Sequence, residues 1–89
     1  MIQKLPNIES LRKRIDSIDH KIIKLLGERF RTSYLIQKYK MAHRIVVFQK
    51  NREISHLRNL LQMAVKEGLS KRMIELIYRR IFSHSRRMK

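Results

Sequence analysis

The sequence predicts an all-α protein built from three helices, with a first helix so long that a second copy of the chain must cover part of it. Three observations predict this. Apolar residues recur at alternating spacings of three and four from Ile8 onward, which marks a helix with one apolar seam. Only two Gly and one Pro occur in 89 residues, which argues against a turn-rich all-β architecture. The hydrophobic content of 43% is too high for a disordered basic tail.

In the first helix the seam runs through Ile8, Leu11, Ile15, Ile18, Ile22 and Leu25. It keeps its register through position 29, Thr32, Ile36 and Tyr39. Asn7, after Pro6, is a suitable N-cap. The helix is expected from about residue 8 to about residue 40, roughly 50 Å at 1.5 Å per residue. Gly27 weakens it by about 1 kcal/mol relative to Ala, which packing can absorb. A compact monomer of this length has a radius of gyration of about 12 Å, so its diameter of roughly 30 Å cannot hold such a helix. Either the helix breaks at Gly27 or another chain covers the overhang. The unbroken register favours the second, a helical dimer.

Residues 41–50 leave the pattern. Ile45-Val46-Val47-Phe48 is β-prone but finds no partner strand in the sequence, so it reads as an extended connection. Asn51 is a candidate cap for a second helix, with Ile54, Leu57, Leu61 and Ala64 inward and Gly68 just past its end. Ser70 then caps a third helix, whose stripe is Ile74, Ile77, Ile81 and Met88. The whole chain, residues 1–89, reads as a single small domain without repeats.

The charge narrows the partner. Twenty-two Lys and Arg against seven Asp and Glu give +15 at pH 7, so the ligand is expected to be an anion, whether nucleic acid, acidic lipid or small molecule. Without cysteine there is no disulfide, thiolate nucleophile or thiolate zinc ligand. The N-terminus does not resemble a signal peptide, and no apolar run approaches the roughly 20 residues of a membrane span. The expectation is a soluble, intracellular protein. His20, His43, His56 and His84 lack metal-ligand spacing and read as surface or helix-end residues. No phosphate loop is present, and the carboxylates are too few to favour an acid/base pair.

Arg29 stands out because it occupies a seam position. Its stem can pack while its head reaches water, or its guanidinium can point into an enclosed site and grip a carboxylate with two hydrogen bonds. Lys40 follows three turns later with about 20° of residual rotation, so both heads can share a face, with Ser33 and Ile36 between them. Arg12 lies about 25 Å back along the axis and cannot reach the same small ligand from one straight helix. In an antiparallel dimer the partner's Arg12 can. Arg52 and Glu53 open the second helix. Ile81, Ser85 and Lys89 form one strip on the third, whereas Arg79-Arg80 and Arg86-Arg87 read as solvated surface.

Leu11-Arg12-Lys13-Arg14-Ile15-Asp16 through Ile18-Asp19, then Glu28-Arg29, Lys40, Gln49-Lys50-Asn51-Arg52-Glu53 and finally Ser85 with Lys89 form a recognisable order. It resembles the all-helical (type II) chorismate mutase family from about residue 8 to residue 89. The resemblance implies an intertwined homodimer of three-helix protomers in the cytoplasm. The implied reaction is the cofactor-free rearrangement of chorismate to prephenate, which needs no nucleophile or proton transfer. By the same resemblance, Arg29 and the partner subunit's Arg12 bind carboxylates, and Lys40 contacts a carboxylate and the ether oxygen. Arg52 encloses the site, Glu53 accepts from the ring hydroxyl, and Ser85 contacts a carboxylate. Two positions depart from the family. Gln49 stands where Asp is usual and would act through its backbone N–H. Lys89 stands where a Gln or an acid donates to the ether oxygen, and its ammonium can donate there too. Two alternatives stay open: an isochorismate-pyruvate lyase of the same fold, and a basic helical nucleic-acid-binding module. The second is disfavoured because the three Tyr and three Phe form no stacking platform.

Overall fold

The computed structural model describes residues 7–45 and 50–87. Gln49, Met88, Lys89 and the segment Val46-Val47-Phe48 lie outside them. Three helices follow in order: α1 (Ile8–Ala42), α2 (Lys50–Lys66) and α3 (Lys71–Arg87). No strand occurs among the described residues.

Local chemistry explains the helix ends. Asn7 Oδ1 accepts from the Ser10 amide at 2.8 Å, capping α1. At its other end α1 runs two residues past the expected limit. The Ile45 amide donates to the Lys40 carbonyl at 2.7 Å and the Arg44 amide to the Met41 carbonyl at 3.3 Å, while Arg44 takes a left-handed φ of 56°. That pair of bonds is a Schellman closure built without glycine. α2 closes in the same way with the expected residue. Gly68 has φ 71°, and the Leu69 and Gly68 amides donate to the Ala64 and Val65 carbonyls at 2.8 and 3.0 Å. Ser70 Oγ accepts from the Met73 amide at 3.2 Å, so it caps α3 as expected.

Two expectations need correction. Asn51 does not cap α2, because Lys50 is already helical and Asn51 sits inside the first turn. An N-cap residue has non-helical backbone geometry, which Asn51 does not have. The inward stripe of α3 is also rotated. Phe82, not Ile77, is its buried residue, at 7% exposure, whereas Ile77 is 44% exposed. Its large flat ring packs instead across the helix pair against His56 of α2.

The chain divides into two compact units, Met1–Thr32 and Ser33–Lys89. In the first, α1 continues unbroken through Gly27, over which the Arg31 guanidinium folds. Thr32 Oγ1 donates back to the Glu28 carbonyl at 2.8 Å. The seam side chains Leu11, Ile15, Ile18, Ile22 and Leu25 are 38–63% exposed. In the second unit α2 and α3 pack together. Glu53 meets Arg86, and His56 lies at a ring distance of 6.2 Å from Phe82. The beginning of α2 therefore faces the end of α3, and the two helices run antiparallel. Tyr78 tilts against Phe82 at 5.8 Å and completes the aromatic cluster.

Candidate active site

The α2–α3 pair encloses an open groove of about 470 Å³, lined by Lys50, Glu53, Ile54, Leu57, Arg58, Leu61, Arg79, Phe82 and Arg86. Its floor follows from helix periodicity. Ile54, Leu57 and Leu61 recur at three and four on α2, and Phe82 faces them from α3. Its rim carries four cations and one carboxylate, a positive balance that favours an anion.

Glu53 is that carboxylate. It sits half-buried in the first turn of α2, where the helix dipole favours negative charge. Nη1 of Arg86 donates to both its oxygens, at 2.6 and 2.7 Å. Arg79 is anchored from its own helix. Its Nη2 and Nε donate to Glu75 Oε1 at 2.7 and 3.1 Å. This hydrogen bonding from Arg79 holds the Glu75 carboxyl below its usual range, helped by the charges of Arg79 and Arg72.

The other expected site residues fall as follows. Arg52 neighbours Glu53 in the first turn of α2 and is exposed. Ser85 is half-buried in the last turns of α3, and its carbonyl accepts from Gln37 Nε2 of α1. Lys40 is half-buried in the last turn of α1. In the first unit Arg29 is half-buried, unlike exposed Arg12. Gln49 and Lys89 lie outside the described residues.

Arg79 and Arg86 are exposed, in keeping with the sequence reading of solvated surface. Both also line the groove. The signal was present: Arg79, Phe82 and Arg86 are spaced by three and four, so a buried Phe82 brings both guanidinia to its own face. His56, by contrast, is no surface residue but packs half-buried beside Phe82. Among the described residues no group of three or more His, Asp or Glu is placed to hold a metal ion. No helix among them is long and apolar enough to cross a membrane.

Comparison with known proteins decides the family. Residues 11–89 match the family described as chorismate mutase type II. The chain belongs to that family. Chorismate mutases of this type are isomerases, and the all-α architecture of three helices agrees with the family. The chain is also similar to the T-protein of Haemophilus influenzae (strain ATCC 51907 / DSM 11121 / KW20 / Rd), at 32% identity over 78 residues. That match takes in 88% of this chain but 21% of the relative, so the chain spans about a fifth of that protein's length. No solved structure matches the chain at a comparable level of significance.

Proposed function

We propose that the protein is a chorismate mutase that converts chorismate to prephenate without a cofactor, acting in the cytoplasm as an intertwined homodimer. The observation that carries the reading is the family match over residues 11–89, which spans every position given a site role, the departures at Gln49 and Lys89 included. The reaction breaks the ether C–O bond as a C–C bond forms within one molecule, so the protein contributes conformation and charge. It must hold the dianion in a compact, chair-like geometry and stabilise the negative charge growing on the ether oxygen.

In this reading Arg29 and the partner subunit's Arg12 bind the two carboxylates. Lys40 contacts a carboxylate and the ether oxygen, with Lys89 as the second donor to that oxygen. Glu53 accepts from the ring hydroxyl, Arg52 and the backbone of Gln49 close the site, and Ser85 contacts a carboxylate. The cationic rim beside Glu53 supports it. The uncovered seam of α1 supports the dimer, since five aliphatic side chains left in water on a single chain represent a large unused driving force.

The test is incubation with chorismate and, separately, isochorismate, followed by identification of the product. Prephenate from chorismate is expected. Pyruvate released from isochorismate, with chorismate untouched, would assign the chain to the lyase reaction instead.

A further inference from the structure

Arg86 lies outside the residues to which the family resemblance assigns a role, yet it makes the closest contact to Glu53. One nitrogen, Nη1, reaches both carboxylate oxygens, at 2.6 and 2.7 Å. A single donor so placed lies near the bisector of the carboxylate and uses the two inward lone-pair directions. The two outward directions stay available to a further donor. The guanidinium therefore orients the carboxylate without consuming its capacity to accept.

Arg86 is itself held. Phe82, one turn earlier, is buried. Gln37 donates to the carbonyl of Ser85, the preceding residue, and ties down the last turns of α3, where helix ends ordinarily fray. The side chains of Arg86 and Glu53 keep 41% and 27% exposure. An ion pair that open to water adds little to folding stability. Its consequence is geometric: it links the first turn of α2 to the last turn of α3 across the mouth of the groove.

We propose that Arg86 is a positioning residue for Glu53, setting the orientation in which that carboxylate receives the substrate hydroxyl. The proposal rests on the chorismate mutase reading. The test is steady-state turnover of chorismate by the full chain as wild type, Arg86→Gln, Arg86→Lys, Glu53→Gln and the Arg86→Gln/Glu53→Gln double variant, with the melting temperature of each.

Misplacing one contact group predicts that Arg86→Gln lowers kcat/KM by about 10- to 100-fold while the melting temperature moves little. Arg86→Lys should recover part of the loss, and the double variant should be no slower than Glu53→Gln alone, because Arg86 acts through Glu53. Losses that multiply in the double variant would overturn the proposal, as would an Arg86→Gln enzyme equal to or faster than wild type. A loss matched by a large fall in melting temperature would make Arg86 structural and also overturn it. No turnover by the wild type would remove the functional reading, and the proposal with it. An active wild type with an indifferent Arg86 would remove the proposal alone.

Discussion

Arg29 and Lys40 are the residues on which the proposed chemistry leans most. Lys40 is assigned to the ether oxygen, where charge appears only as the reaction proceeds, so its removal should act on the transition state more than on binding. Lys40→Ala is expected to lower kcat by about 10²- to 10³-fold, the usual cost of losing one donor to a developing oxyanion. Arg29→Ala, which removes a carboxylate contact present before and during reaction, should raise KM as well. Stopped-assay measurements of prephenate formation check both, and near-normal turnover would remove either residue from the site. Arg29 was conspicuous in the sequence because a cation interrupts an apolar register, an anomaly visible within four turns of one helix. Arg86 was not, because its meaning depends on Glu53, 33 positions away. Only the packing of α2 on α3 brings them together.

The same distinction between local and non-local causes holds for the helices. The caps at Asn7 and Ser70 and the stop at Gly68 were readable because each is decided by a few adjacent residues. The stop of α1 was not, since it uses Arg44 in a backbone conformation that sequence reading reserves for Gly or Asn. The two Schellman closures make opposite predictions. At Gly68 a Cβ would meet nothing within 4 Å, so Gly68→Ala is opposed only by its φ of 71° and should cost about 1–2 kcal/mol. At Arg44 the strain is already present. Arg44→Gly should relieve it and stabilise the chain by up to about 1 kcal/mol, with glycine's greater unfolded-state entropy taking back part. Urea unfolding of the two variants measures both signs. The rotated stripe of α3 has a different origin: Ile77 and Phe82 are both apolar, and periodicity alone cannot say which one is buried.

At the scale of the whole molecule, two features of the sequence still await an occupant: the charge of +15 and the bare seam of α1. The charge should act at a distance. A field of this sign steers a small dianion toward the groove, and salt screens it. Rising ionic strength is thus expected to lower kcat/KM while leaving kcat nearly constant. A parallel loss of kcat would place the effect on the bound state. The seam should act by contact. If a second copy covers it, Ile15→Lys with Ile22→Lys buries two charges in that interface and should yield a monomer by analytical ultracentrifugation. A composite site makes a sharper demand. Arg12→Ala and Arg29→Ala homodimers each lack a needed guanidinium in both sites. In a mixed dimer, one site receives Arg29 from the first variant and Arg12 from the second, while the other site receives neither. Random exchange of equal amounts makes about half the dimers mixed, each with one working site of two, so activity should return to about a quarter of wild type. Two inactive proteins that exchange subunits and stay inactive would place both arginines within one protomer's site.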